Sequence, residues 1–315
     1  MKTSVIILSY NDYEGTTGRC LAALSSDPDS ASWELIVVDN GSDAATRDAL
    51  RAAQQRVSAL RVIFNEKNLG FAAGNNVGIR LAAGDVVVLL NSDTIAPPGM
   101  IGRLAARFQS DDTLGMIGPV TNAAGNEQGI HTTASSVEGR IEEGLRYAAG
   151  GGPDALDAYR LDFFCVAISR KALDRVGLLD EGFGRGYYED FDYSLRVRQS
   201  GLRLAVAEDA FVYHRGGGTF GNRPAEAREL LKRNKRRIMR KHGPNVYFPH
   251  ARDGNLAILA QYAEKKDRGE TAPEYRILNR LEYARSNKPR SWLKRWRYLR
   301  RVRQVAKRLG IEAGS

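Results

Sequence analysis

Four short runs of apolar, mostly β-branched residues recur within residues 1–90: Val5 to Leu8, Leu35 to Val38, Arg61 to Phe64 and Val86 to Leu90. Each is apolar on both faces and closed by polar or turn residues, the pattern of a strand buried inside a parallel sheet. The segments between them, Gly18 to Leu24, Ala44 to Gln55 and Ala72 to Leu81, have helical length, and the last stops at Ala83-Gly84-Asp85, a C-cap signal. Parallel strands need crossover connections, so the repeat predicts βαβ units and an α/β, Rossmann-like, mostly parallel sheet with helices on both faces. Further strands are expected at Met116 to Val120, Phe163 to Ser169, Leu204 to Ala207 and Ala210 to Tyr213. A helix is expected from about Asp190 to Ser200, with acids at its N-terminus and Gly201 after its end. The Gly-, Ala- and Ser-rich stretch Ala123 to Gly152 reads as a loop carrying a short helix.

Charge divides the chain. Residues 1–222 hold 21 basic and 28 acidic side chains, whereas 223–315 hold 26 and 9. The net charge of +10 therefore belongs to a basic, helical C-terminal region, and the α/β body is expected to end near residue 222. Cys20 and Cys165 have neither a disulfide framework nor metal-finger spacing, which favours a reducing, cytoplasmic setting. The apolar stretch near the N-terminus, Val5 to Leu8, is too short for a secretory signal, and no stretch reaches the roughly 18 apolar residues of a spanning helix.

Ligands of open parallel sheets bind beyond the carboxyl ends of the strands. Those ends carry Ser9-Tyr10-Asn11, Asp39-Asn40-Gly41-Ser42, Asn65 through Asn68-Leu69-Gly70, and Asn91-Ser92-Asp93. Each is also an ordinary turn sequence. Ser9-Tyr10-Asn11-Asp12 stands where a dinucleotide-binding chain would carry G-x-G-x-x-G, which removes the nicotinamide and flavin readings. Downstream, Glu189, Asp190 and Asp192 place three carboxylates in four residues. That is either an acid-rich helix start or a carboxylate prepared as a base by its like-charged neighbours. His214 follows an apolar run and precedes Gly216-Gly217-Gly218. A carboxylate with an imidazole is a reasonable protein share of a Mn²⁺ or Mg²⁺ site completed by diphosphate oxygens and water.

Seven stretches in order resemble a family 2 inverting glycosyltransferase: VIILSYN, VVDNGSD at 37–43, NLGFAAGNN at 68–76, LNSD at 90–93, VGLLDEGF at 176–183, YYEDFDYSLR at 187–196 and VYHRGG at 212–217. The resemblance implies a glycosyltransferase-A fold, a nucleotide diphospho-sugar donor, a divalent metal and inversion at the anomeric carbon. By motif, Asp39 would bind the base or ribose of the donor, with Ser9, Asn11, Asn68, Gly70, Asn91 and Ser92 around the same pocket. Asp93, the last residue of the family's D-x-D motif, and His214 would hold the metal; the histidine resembles that of the galactofuranosyl and rhamnosyl branches. Asp190 would be the base and Glu189 would orient the acceptor. Two departures refine this reading. Asn91 replaces the first acid of D-x-D, a weaker metal ligand, which also admits a non-catalytic nucleotide-sugar-binding scaffold. The Q-x-x-R-W motif of processive polymerases is absent, the nearest text being Lys294-Arg295-Trp296, so one sugar per encounter is expected. LNSD and VYH favour dTDP-rhamnose as donor, with UDP-sugars next, and a glycan or lipid-linked glycan as acceptor.

In the tail, helices are expected from Pro224 to Lys241 and from Ser291 to Leu309. The second groups Trp292, Trp296, Leu299, Val302 and Leu309 near one face amid many Lys and Arg. It suits either an interfacial helix on anionic lipid or a helix packed on the body with a solvated basic face. Basic residues interleaved with aromatics also fit nucleic acid, but no recognised nucleic-acid motif accompanies them.

Overall fold

A computed structural model describes residues 1–57, 59–149, 155–216 and 224–311. In chain order the elements are β1 (Thr3–Ser9), α1 (Thr17–Ser25), β2 (Trp33–Asp39), α2 (Ala44–Arg56), β3 (Leu60–Phe64), α3 (Phe71–Leu81), β4 (Val86–Asn91) and β5 (Thr94–Ile95). There follow α4 (Met100–Ser110), β6 (Leu114–Val120), α5 (Val137–Ala149), β7 (Ala155–Asp157), β8 (Cys165–Ser169), α6 (Arg170–Val176), α7 (Glu189–Gln199), β9 (Arg203–Phe211) and β10 (Tyr213–His214). Four helices end the chain: α8 (Pro224–His242), α9 (Ala251–Asp267), α10 (Glu274–Ser286) and α11 (Trp292–Arg308).

Eight strands form one sheet in the order β3-β2-β1-β4-β8-β6-β9-β7. The first four are parallel, as the sequence repeat requires, and β8 runs antiparallel to both β4 and β6. The sheet is therefore mixed. Its register pairs Leu90 with Cys165, which brings the chain just before β8 to the carboxyl end of β4. Two apolar clusters cover its faces: Val5, Ile7, Leu35, Val37, Val86 and Val88 point to one, Ile6, Ile36, Val38, Val87 and Leu89 to the other. This is the alternation of a strand buried on both sides.

The expected pair of strands at 204–207 and 210–213 is instead one strand, β9, followed by the short β10. The sequence breaks at Glu208-Asp209, but both acids are buried and paired: Asp209 with Arg107, and Glu208 with Arg280 and the hydroxyls of Tyr147 and Tyr262. The helix within 123–152 is longer than expected, running from Val137 to Ala149.

The C-terminal helices bury a core of their own, where Leu256, Leu259, Tyr262, Ile277, Leu281, Tyr298 and Val302 meet Leu156 of β7. Two fully buried arginines of α10 tie that bundle to the body. Arg276 donates to the carbonyls of Tyr147 and Ala148, capping the C-terminal end of α5. Arg280 pairs with Glu208 and donates to Tyr147 Oη and to the carbonyls of Glu127 and Gly129. Arg280 thus has its hydrogen bonds satisfied, the condition under which a buried ion pair is tolerated. Helix α11 turns Tyr298, Val302 and Ala306 inward and leaves Trp292 and Trp296 77% and 47% exposed, so the tryptophans do not share the buried face with Val302. Among the described residues no helix is long and apolar enough to cross a membrane.

Candidate active site

The ends of β1, β2 and β3 are stitched into one cradle. Asn11 and Asp12, directly after β1, both take left-handed backbone (φ 54° and 49°). This conformation is uncommon outside glycine but tolerated by Asn and Asp. It lets the Asn11 N–H donate to Ser42 Oγ at 2.9 Å while its side-chain oxygen accepts the Asp43 N–H at 2.9 Å. Asp39, the last residue of β2, is fully buried, accepts from the Ser42 N–H at 3.2 Å and lies 3.5 Å from Arg47 Nε. Ser9 is buried with its hydroxyl 2.8 Å from that of Thr17, so it braces the strand end against α1.

Asn40, which the sequence shows only as a turn residue, is the hub of this cradle. Its amide nitrogen donates to Asn68 Oδ1 at 3.1 Å and to the Gly70 carbonyl at 3.2 Å, and its oxygen accepts from Asn65 Nδ2 and the Leu69 N–H. Asn68 itself is exposed and accepts the Gly70 N–H at 2.9 Å. Gly70 has φ 86°, and a side chain there would strike the carbonyl of Gly184, so the close approach of two backbones demands glycine. Through that contact the cradle touches the turn that precedes α7.

The second group lies at the end of β4. Asn91, Ser92 and Asp93 are half-buried on its rim. The two-residue strands β5 and β10 pair antiparallel, with His214 opposite Thr94, and this places the imidazole beside Asp93. His214 Nε2 is 3.5 Å from Asp93 Oδ1. Its Nδ1 lies 2.9 Å from the Ala123 carbonyl, which only accepts, so Nδ1 carries the proton and Nε2 turns toward the carboxylate. Asn122 fixes the backbone of His214 at both N–H and C=O, and Phe164 stacks on the ring at 5.2 Å. Burial works to raise the Asp93 carboxyl, but hydrogen bonding to His214 and its charge outweigh it, so the net shift is downward. A carboxylate and an oriented imidazole nitrogen this close can both reach one cation with bonds of roughly 2.1 Å. The donor set suits Mn²⁺ or Mg²⁺ finished by outside oxygens. Among the described residues no group of three or more such side chains surrounds a single point, so protein alone does not complete a metal site there.

The third group is Glu189 and Asp190, the first residues of α7. Glu189 is buried, one of its oxygens without a hydrogen-bond partner; Asp190 accepts the Phe191 N–H at 2.7 Å. Burial first, then the negative charge of a neighbouring acid, Asp190 for Glu189 and Asp162 for Asp190, push both carboxyls well above the usual range; Arg160 partly offsets this at Asp190. Arg160 and Asp162 form a 2.7 Å ion pair. Neither drew attention in the sequence, because they precede β8 without motif context and reach the site only through the antiparallel register of that strand. The field of Asp162 acts on both His214 and Asp190, so the second and third groups share one electrostatic environment. The chain thus joins a polar cradle, a cation-suited pair and a carboxyl poised near neutrality along one rim. Of the glycines that follow His214, Gly217 and Gly218 lie outside the described residues.

The same arrangement of sheet and helices recurs in known enzymes. A solved GalNAc-T7 structure with UDP, GalNAc and Mn²⁺ superposes with a TM-score of 0.61 at 16% identity, covering 86% of this chain and 55% of that one. The mannosyltransferase PcManGT from Pyrobaculum calidifontis, in complex with GDP-Man and Mn²⁺, superposes with a TM-score of 0.53 at 17% identity, over 99% of this chain and 76% of that one. The fold is the glycosyltransferase-A fold. In sequence, the glycosyltransferase YfnE of Bacillus subtilis is 25% identical over 255 residues, 68% of this chain and 64% of that protein. An N-acetylglucosaminyltransferase of Bradyrhizobium elkanii is 30% identical over 126 residues, 39% of this chain and 68% of its own length. The hyaluronan synthase of Pasteurella multocida is 25% identical over 269 residues, 78% of this chain and 27% of its own length. A family model described as glycosyl transferase family 2 matches residues 4–177, more than half the chain, and the protein therefore belongs to glycosyl transferase family 2.

Proposed function

We propose that the protein transfers one sugar per encounter, with inversion, from a nucleotide diphospho-sugar to a glycan or lipid-linked glycan at the cytoplasmic face of a membrane, in the synthesis of surface polysaccharide or glycolipid. The observation that carries this reading is the Glu189–Asp190 pair at the start of α7, Glu189 buried and Asp190 half-buried, whose carboxyls are raised by burial and neighbouring acids and share with His214 the field of Asp162.

In this reading the cradle receives the nucleoside, with Asp39 and Asn11 nearest the base or ribose and Asn68, Gly70, Asn91 and Ser92 along the wall. Asp93 and His214 would hold Mn²⁺ or Mg²⁺, which would supply charge neutralisation for the departing diphosphate. Asn91 contributes an uncharged amide, so affinity for the ion rests on those two side chains. Asp190 takes the proton from the acceptor hydroxyl as the oxygen attacks, a contribution typically of ~10²–10⁴ in rate. A base near the working pH is better than an ordinary carboxylate, since it holds the proton more firmly once transferred. Glu189, more deeply buried, holds its proton at neutral pH and orients the acceptor as a donor.

The first donor to test is dTDP-rhamnose, from the LNSD and VYH sequences. UDP-sugars come next, prompted by a Staphylococcus aureus TarS structure of the same fold that was solved with UDP-GlcNAc. A thermal-shift screen of both classes with Mn²⁺ and Mg²⁺ tests the reading, because a ligand that binds only the native state raises apparent stability with the logarithm of its concentration over Kd. The expected result is a metal-dependent rise with one nucleotide class, lost in Asp93→Ala. No rise with any donor under either ion contradicts it.

The membrane partner rests on α11. Trp292, Leu293 and Trp296 are exposed among eight Lys and Arg, and the helix has no acidic residue. Exposed tryptophans on a polybasic surface fit the interface of an anionic bilayer.

A further inference from the structure

The turn that presents Glu189 and Asp190 runs through left-handed backbone at Gly184 (φ 72°), Tyr187 (φ 68°) and Tyr188 (φ 75°), with Gly186 at φ 148°. Two consecutive non-glycine residues in this region persist only where the surroundings impose it. Among the described residues the one other such pair is Asn11-Asp12, whose Asn and Asp side chains suit it. Tyrosine offers no such local help, and Tyr188, the residue just before α7, makes no side-chain cap to the helix.

The missing support comes from α8. Asn234 is fully buried, and its amide nitrogen lies 2.9 Å from each of the carbonyl oxygens of Phe183, Gly186 and Tyr187. The amide has two hydrogens, so the three carbonyls share them through a bifurcated bond. Because carbonyls only accept, the orientation of the amide is fixed, and its oxygen accepts from Arg233 Nε at 3.3 Å. Arg233 adds a longer contact of 3.5 Å to the Phe183 carbonyl. Other polar contacts of α8 dock the helix without reaching these carbonyls: Arg237 and Lys241 pair with Asp180, Lys241 and His242 with Asp192, and Glu226 with the side chain of Arg185 in the turn. Ile238 fills a pocket with Phe183, Phe191 and Leu195.

We propose that Asn234, 44 residues beyond Asp190 in the chain and outside the family-matched segment, is a positioning residue for the transfer step. By gathering three turn carbonyls it holds Tyr187 and Tyr188 in their left-handed conformation and so fixes where the carboxyls of Glu189 and Asp190 face the acceptor. The inference rests on the reading of Asp190 as base, but its structural half is testable without any substrate.

The test compares Asn234→Ala and Asn234→Asp, which keeps the shape but removes the donors, with Ile238→Val, which trims the same helix face and leaves the carbonyls bonded. Amide hydrogen exchange is followed across residues 184–191. Turnover of dTDP-rhamnose or UDP-GlcNAc, whichever the wild type consumes with Mn²⁺, is followed as kcat and KM. Both Asn234 variants are expected to speed exchange in the turn tenfold or more, and to lower kcat at least tenfold while the donor KM stays within twofold. The acid limb of the pH profile should also move toward that of an ordinary carboxylate, as water reaches Asp190. Ile238→Val should leave all three within twofold. Unchanged exchange in the turn overturns the structural half, and so does an equal loss of kcat in Ile238→Val. If exchange rises while kcat holds, the positioning role is overturned. Wild-type turnover in Asp190→Asn overturns the base assignment instead, and the exchange data tell the two failures apart.

Discussion

On the donor side, the cradle is held by residues of the same half of the sheet: Asn11 by Ser42 and Asp43, Asp39 by Ser42 and Arg47, and the Gly70 backbone by Asn40 and Asn68. On the acceptor side, the turn before Asp190 is held from α8, and Asp190 feels Asp162 and Arg160 from the segment ahead of β8. The donor cradle lies wholly within the family-matched residues, whereas Glu189, Asp190, His214 and Asn234 lie beyond them. In the proposed reading the family-matched segment builds the place for the nucleotide, and residues beyond 177 activate the acceptor. The contrast also gives the basic tail a structural task, through α8 at the turn and through the buried Arg276 and Arg280.

Asp190→Asn separates the two sides most sharply. The substitution should reduce transfer by about 10²–10⁴ while nucleotide affinity by calorimetry stays within about twofold. A parallel loss of binding would mean that the two sides are not separable.

Arg280→Met leaves Glu208 buried without its cation and should cost about 3–5 kcal/mol in chemical denaturation, the usual penalty for breaking one side of a buried pair. A negligible cost would show that the C-terminal bundle only rests on the body. Asp93→Ala acts on the donor side. It should weaken metal-dependent nucleotide binding by at least the roughly 10–100-fold that loss of an outer-shell partner costs a metal site. Binding measured with EDTA present should change little.

Glu189→Gln probes the acceptor side through stability. Burial and Asp190 raise the Glu189 pKa, so the folded state binds its proton more tightly than the unfolded chain does. The native state is therefore favoured below the ordinary glutamate range and loses that advantage as pH rises toward the folded value. The variant, which never ionises, should be more stable than wild type at neutral and alkaline pH and should flatten the pH dependence of Tm. A steeper dependence would contradict the buried assignment. The smallest effect is expected on α11, whose inner face seals the C-terminal core and rules out simple truncation. Trp292→Ser with Trp296→Ser should lower co-sedimentation with anionic vesicles several-fold, leaving Tm and neutral-vesicle binding unchanged.

Much of the donor side is legible in the sequence because short-range chemistry builds it. Apolar runs set β1 to β4, and polar residues at their ends become the cradle. Asn40 is the instructive omission: it stands between Asp39 and Gly41 as an ordinary turn residue, and only the folded loops reveal the four hydrogen bonds it makes. Asp93 and His214 are marked by motif, but their meeting depends on two-residue strands too short to leave a periodic signal. The acceptor side is less legible for the same physical reason. Arg160, Asp162 and Asn234 reach the turn through an antiparallel register and a helix docking, neither of which is written in local spacing. Glu208 and Arg280 show the converse, where two charges that read as surface residues are buried together. In α11 the tryptophans seemed to belong to the apolar stripe, yet Tyr298 and Ala306 fill it.

In the proposed mechanism Asp190 takes the proton of the acceptor hydroxyl onto a carboxylate whose pKa its surroundings hold above the usual range. The most direct measurement is the pH dependence of sugar transfer at saturating donor in wild type and Asp190→Asn. The wild-type rate should rise tenfold per pH unit up to an apparent pKa above that of an ordinary carboxylate, and this limb should vanish in the variant. The same limb in both proteins would contradict the account.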